Sequence, residues 1–347
     1  MSTKKSSKKP ADQERHPFRI FKLPPKGFDI RKATARELSV YGIPKRPDGN
    51  THPNLRRLWD EIAERRTRFI EPTFVRGEKF RPSKLRDHHN VFDEAPSPVK
   101  GYLDKLKSRF VDSGISIQLY LPETSTNWCG AYVKKPPTET LNSVTGQWTV
   151  PSVSPPPSAW TGSKFIDGQY TCVAWVGIDG TNGTNDVLQA GTLSRVTVSG
   201  GVITGTTYYV WTEWFGSPWI VQSLGVSPGD QIHCTVCAPF TNTHGTAIFT
   251  NLTTNQSATY GIDAPSGTTL SGNVAEWIVE DPGQLGGGLF PFPNFGQVQF
   301  TQCSAGTKNF EFDLLTSTLI DLVDAANSVR AQAIYLNKSS LRCRFIK

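Results

Sequence analysis

The chain has no apolar run of about 20 residues, so no segment reads as a membrane-spanning helix. Residues 1–10 carry the positive charge that opens a secretory signal, but residues 11–16 are polar where the apolar stretch should follow. Histidine is scarce: six in all, four of them in the N-terminal half. Neither His233 nor His244 lies among residues that look like a nucleophilic triad. The run Gly225-Val226-Ser227-Pro228-Gly229 fits the G-x-S-x-G pattern. That pattern needs a strand-to-helix turn, and here Pro228-Gly229-Asp230 leads into another strand-like run, so it reads as a simple turn. Cysteine is also sparse, with six residues, all after position 128. Cys234 and Cys237, beside His233, form one such pair, and positions i and i+3 of a strand point to opposite faces. No metal site is expected, and no cofactor. The even count allows three disulfides in fifteen pairings, or small buried core thiols, and spacing does not choose. If the protein is exported, at least two of the six are expected to be bridged.

Charge is unevenly divided. Residues 1–120 hold 27 Lys and Arg against 15 Asp and Glu, a net +12, whereas residues 121–347 hold 10 against 15, a net −5. A basic segment beside an acidic domain can bind it in cis, which is favoured here over nucleic-acid binding. Residues 1–16 read as a disordered basic tail. Residues 17–120 are broken by Pro24-Pro25, Gly27, Pro44 and Pro47-Asp48-Gly49 and are poor in apolar content, so they read as a basic prosegment or docking region, partly helical and mostly irregular. A helix is predicted over 55–69, with Asn54 as its cap, and a second short one over 102–110.

From about residue 115 the texture changes. Short runs rich in Val, Ile, Thr, Tyr and Trp alternate with Gly, Pro, Asn and Ser, as in 143–150, 173–178, 206–214, 231–237 and 246–252. Many short strands at regular spacing predict an all-β sandwich or barrel over 121–347. One stretch, 319–326, could read as a helix.

Two polar residues interrupt these strands. Gln189 lies in Val187-Leu188-Gln189-Ala190-Gly191, and Glu276 in Val274-Ala275-Glu276-Trp277-Ile278-Val279-Glu280-Asp281. In a strand, Glu276, Ile278 and Glu280 share a face, with Glu276 and Glu280 roughly 13 Å apart, too far to act as a carboxylate dyad. Alone, each residue would usually be a solvated or hydrogen-bonded polar group. Their order alongside Asn127-Trp128-Cys129-Gly130-Ala131, Ala174-Trp175-Val176-Gly177-Ile178-Asp179-Gly180 and Tyr208-Tyr209-Val210-Trp211-Thr212-Glu213-Trp214 resembles the glutamic peptidases called eqolisins.

The resemblance implies an antiparallel two-sheet β-sandwich of the concanavalin A-like lectin/glucanase type. It implies Glu276 as general base toward water and Gln189 as the amide that stabilises the tetrahedral oxyanion. It implies Trp128, Trp175, Asp179, Trp211 and Glu213 as supporting or substrate-binding residues, although tryptophan in a strand is more often core. It further implies an acidic working range, protein or peptide substrates, and an extracellular location. Carboxylate and amide suit the chemistry: a carboxylate takes and returns a proton, while an amide NH₂ donates to a developing oxyanion. Three positions depart from the pattern: Tyr209 stands where Asp is expected, Phe215 where Tyr is, and Cys129 where Gly or Ala is. Two other readings stay open. One is a carbohydrate-binding or glycan-cleaving sandwich, although a retaining glycosidase needs two carboxyl groups about 5 Å apart and Gln189 supplies none. The other is an inactive sandwich with a basic arm that binds nucleic acid. A monomer is expected, its N-terminal segment docked over the cleft at neutral pH and released in acid.

Overall fold

The computed structural model describes residues 17–65, 67–77, 122–181, 184, 186–215, 219–284 and 287–347. The predicted helix over 102–110 lies outside the described residues. Two sheets face one another. Sheet A runs β16 (Glu311–Phe312), β15 (Gln297–Gly306), β6 (Ser143–Thr149), β11 (Gln231–Thr241), β12 (His244–Asn251) and β13 (Gln256–Asp263). Sheet B has at its centre β9 (Val202–Trp214), β8 (Val187–Ser199), β7 (Gly168–Asp179), β14 (Val274–Glu280), β5 (Trp128–Lys134) and β17 (Thr318–Val323). Beyond β17 lie β4 (Glu123–Ser125), parallel to it, then β18 (Val329–Asn337) and β19 (Ser340–Phe345). Strand β15 pairs with β6 through one end and with β19 through the other, joining the two sheets.

Between the sheets, alternate residues of each strand form one apolar core: Ala275, Trp277 and Val279 of β14, Cys172, Ala174 and Val176 of β7, and Ile232, Cys234 and Val236 of β11. Trp277 Nε1 donates to Thr145 O at 2.8 Å and Trp148 Nε1 to Thr192 Oγ1 at 3.0 Å, tying sheet to sheet. Each buried indole thus meets its one donor requirement. An antiparallel two-sheet β-sandwich forms, as the strand pattern predicts. The 319–326 stretch is not a helix: residues 319–323 belong to β17, whose ladder partners on β5 and β4 a helix would forfeit, and a turn follows. The Ser227 segment is a turn, with Gly229 at φ 90° and Asp230 N donating to Ser227 O.

The described part of the N-terminal half joins both sheets at one edge. Strand β1 (Phe18–Ile20) and the short β2 (Arg68–Phe69) pair with β13, while β3 (Phe74–Arg76) pairs with β10 (Trp219–Val221), which in turn pairs with β9. Phe18 is buried in the main core and stacks on Phe74 at 3.7 Å. Helix α1 (Ala35–Val40) is closed by a capping box between Thr34 and Glu37. Helix α2 (Pro53–Glu64) differs from the expectation at both ends. It begins at Pro53, whose fixed φ suits the first helical position, and the Glu311 carboxylate accepts the Asn54 and Leu55 amides in place of an Asn54 cap. It stops at Glu64, because residues 68–70 find backbone partners on β13 instead. Phe69 then packs in a satellite cluster with Ile30, Leu38 and Ile43. No helix among the described residues is long and apolar enough to cross a membrane.

Candidate active site

Alternation along the strands of sheet B gives them a second face, away from the core between the sheets. Trp128, Tyr132, Val173, Trp175, Leu193, Trp211 and Ile278 cluster there. Every sequence-predicted site residue shares this face. Strand pairing then fixes the lateral order. Glu276 on β14 lies opposite Gly177 on β7, Gly177 opposite Gln189 on β8, and Gln189 opposite Glu213 on β9. On the other side Glu276 faces Tyr132 on β5. Gln189 and Glu276 are therefore two strands apart, about 10 Å between backbones at ordinary sheet spacing. The strand between them carries a glycine. A Cβ at Gly177 would lie 2.7 Å from the Trp175 ring and 3.2 Å from Gln189 Cβ, so only glycine leaves this gap open. Glycine inside a strand marks close approach by another group. Gly177 joins the candidate site through lateral strand pairing, which the sequence does not display, although its place two residues after Trp175 is visible there.

The pair is held differently at its two ends. Gln189 Nε2 donates to Glu213 Oε2 at 3.0 Å, which fixes the amide orientation, because a carboxylate oxygen accepts. Gln189 Oε1 and both carboxyl oxygens of Glu276 have no hydrogen-bond partner among the described residues. All three side chains are buried, with Gln189 and Glu276 at 0% exposure and Glu213 at 1%. Buried polar atoms are normally satisfied, so three orphans on two facing groups mark a place built for something polar to enter. Burial, and after it the Asp179 charge, pushes the Glu276 carboxyl well above the usual carboxylate range.

The supporting residues sort by what they touch. Asp179 does not reach into the gap. Its Oδ2 accepts the Ser271 and Gly272 amides and its Oδ1 the Asn273 amide, each at 2.7 Å, so it pins the segment that enters β14 two residues before Glu276. Asp179 adopts a left-handed φ of 71° to do so, and burial raises its pKa against those three bonds. Trp175 donates through Nε1 to Glu280 Oε2 at 2.9 Å and meets Trp128 edge-to-face at 5.0 Å. Trp211 stands beside Gly191, which in turn lies beside Trp175. Tyr132, also missed from the sequence, donates to Glu123 Oε2 at 2.8 Å and walls the gap beyond Glu276. Among the described residues no group of three or more His, Cys, Asp or Glu could hold a metal. The six cysteines are all buried and unbridged.

Comparison with known proteins bears on the family and the fold. Residues 126–345 match the family described as the peptidase A4 family. Aspergillopepsin-2 of Aspergillus niger is 34% identical over 218 residues, 58% of this chain and 71% of that protein. Scytalidopepsin B of Scytalidium lignicola is 32% identical over 165 residues, 45% of this chain and 57% of its own length. Among solved structures, scytalido-glutamic peptidase with a transition state analog inhibitor superposes with a TM-score of 0.53 at 25% identity. That match covers 64% of this chain and 98% of the peptidase.

Proposed function

The chain belongs to the peptidase A4 family and is a glutamic peptidase by that membership, and from this premise we propose how its residues divide the work and that the protein is made as a latent precursor. Glu276 takes a proton from a water in the gap over Gly177, and the water oxygen attacks the peptide carbonyl carbon. The amide of Gln189, oriented by Glu213, donates to the oxyanion that forms, a contribution of roughly 3–4 kcal/mol for one well-placed donor. As the carbon–nitrogen bond breaks, Glu276 returns its proton to the leaving amine. The observation that carries this reading is the row Glu276–Gly177–Gln189–Glu213, in which the two candidate groups share a buried face and are parted by a residue without a side chain. A glycosidase reading lacks a second carboxyl group within the gap, since Glu213 is taken up by Gln189.

Latency follows from burial. With Glu276 fully enclosed, no substrate reaches it, and burial disfavours the carboxylate form that would act as the base. Opening the site to water relieves the desolvation, returns the carboxyl toward its ordinary range and restores the base. Residues 17–120 act as the prosegment. At low pH the carboxylates that attract it are neutralised while its own charge stays positive, and cleavage falls within 108–124. Full-length protein is incubated with denatured casein from pH 2 to 7, with and without pepstatin, and followed by intact-mass spectrometry. The expected result is pepstatin-resistant activity at the acid end, together with loss of roughly 110–125 residues. Casein left intact at every pH would overturn the peptidase mechanism. Full activity in a chain that stays full length would overturn the prosegment.

A further inference from the structure

Arg195 lies on β8, on the same face as Gln189 and six residues further along, roughly 20 Å away by strand rise. It is 7% exposed. Its Nε donates to Thr171 Oγ1 at 2.8 Å, and its guanidinium lies 5.0 Å from the centre of the Phe290 ring. Nη2 is buried with no hydrogen-bond partner, and no carboxylate pairs with the group among the described residues. Burial lowers its pKa, with only Tyr209 acting the other way. Arginine stays charged in proteins, and a buried cation without an anion is costly unless something supplies one. Stacking on Phe290 accounts for one face of the fork but leaves a donor aimed at nothing.

We propose that Arg195 is the floor of a specificity subsite that receives an anionic side chain of the peptide substrate, about five or six residues from the bond that is cut. Phe290 and Leu193 wall it with apolar surface, which strengthens a charge-assisted hydrogen bond to the incoming group. The proposal rests on the peptidase reading, and it concerns what is chosen rather than how it is cut.

The test uses full-length protein after acid incubation and a set of internally quenched peptides with one cleaved bond. Cysteic acid replaces serine at each position from two to seven residues on either side, because a sulfonate stays anionic at pH 2–4 where Asp and Glu do not. One position is expected to raise kcat/KM by roughly tenfold to a hundredfold, the range of one hydrogen bond to a charged partner. Arg195→Met should bring that ratio to about one, and Arg195→Lys, which keeps charge but loses the fork, should fall between. A flat scan, or a preference that survives Arg195→Met, overturns the proposal. The scan needs no variant, so misfolding of Arg195→Met would not blunt it. A parallel calorimetric titration uses reduced-amide peptides that cannot be cleaved, bearing cysteic acid or serine at the same place. Tighter binding of the cysteic acid peptide supports the subsite even if hydrolysis is absent, and equal or no binding of the two overturns it.

Discussion

The two faces of sheet B are built from the same strands, yet they spend their residues differently. On the face toward sheet A, β14 contributes Ala275, Trp277 and Val279, and β7 contributes Cys172, Ala174 and Val176, all apolar and all packed. One residue over, the other face buries Glu276, Gln189, Glu213, Glu280, Asp179 and Arg195 among tryptophans. Burying apolar surface stabilises the fold, whereas burying a carboxyl or guanidinium costs free energy that only a function makes worth bearing. A strand enclosed on both sides has no solvated face, so polar residues inside it are informative in a way they are not on an ordinary half-exposed strand.

Neighbouring substitutions on β14 should separate the two faces most sharply. Glu276→Gln keeps shape and removes the only titrating member of the pair, so proteolysis should vanish while the melting temperature holds or rises. Trp277→Ala, one residue along, should cost about 3–5 kcal/mol of stability and strand the Thr145 carbonyl. Gln189→Ala should lower kcat about a hundredfold or more by removing an oxyanion donor. Gln189→Glu should also be poor, because adjacent carboxylates disturb each other's titration. Paired casein assays and thermal melts read both axes. Near-normal activity in Glu276→Gln would mean the site lies elsewhere.

Titration offers a second comparison, between a buried acid of sheet B and a buried base of sheet A. Asp321, with Ala333 N donating to it at 2.8 Å, is pushed up to about 6 by burial. Its folded pKa exceeds the unfolded value near 3.9, so its contribution is complete below that pH and is lost as pH rises through 6. His233 on β11 runs the other way. Burial, with Arg65 adding to it, lowers it to about 4, so its contribution is complete above 6.5 and is lost as pH falls through 4. Each amounts to about 3 kcal/mol at most. In a Glu276→Gln background, which prevents self-digestion, melts from pH 3 to 8 should show His233→Gln flattening the acid side. Asp321→Asn should flatten the rise toward acid. Unchanged curves would show that these groups are not enclosed in solution.

A smaller effect should come from Gly177→Ala. The added Cβ meets the Trp175 ring at 2.7 Å, so either the ring shifts or the strands part. Overpacking of this kind costs about 1–3 kcal/mol. Activity should fall further than stability explains, since the methyl fills the gap between Gln189 and Glu276. A KM rise with unchanged kcat would instead place the gap outside the reacting centre.

Much of this was legible before the fold was known. The strand pattern over 121–347 and the polar interruptions at Gln189 and Glu276 follow from period-two alternation, which a sequence displays directly. Lateral register does not appear in a sequence, and that is why Gly177, Tyr132 and Arg195 escaped notice: each matters through what lies on the next strand. The N-terminal half was misjudged at α2 for a related reason. Its helical stripe continues to Phe69 on paper, but backbone partners on β13 captured residues 68–70. The Thr34–Glu37 capping box of α1 was a local signal and could have been read.

The cysteines test the same division of faces from its quiet side. Five of the six, Cys129, Cys172, Cys234, Cys303 and Cys343, belong to the core between the sheets, and the sixth, Cys237, is buried on β11. None is on the face of the candidate site. The expectation that export brings at least two into disulfides finds no pair here: all six are free. Only a thiolate reacts with alkylating reagents, and burial works against it, raising Cys237 to about 12 and the Cys129, Cys172, Cys234 and Cys303 thiols as well. Labelling should therefore wait for unfolding. Iodoacetamide at pH 8 should leave the native protein unmodified and proteolysis unchanged, and six thiols should titrate once guanidinium is added without reductant. Reductant should leave the melting temperature where it was, whereas a lost disulfide would lower it by the equivalent of about 2–5 kcal/mol. Fewer than six thiols in the denatured, unreduced chain would mean a bridge forms across the core. Rapid labelling of the native chain with loss of activity would put a cysteine on the working face, and the separation of the two faces would fail.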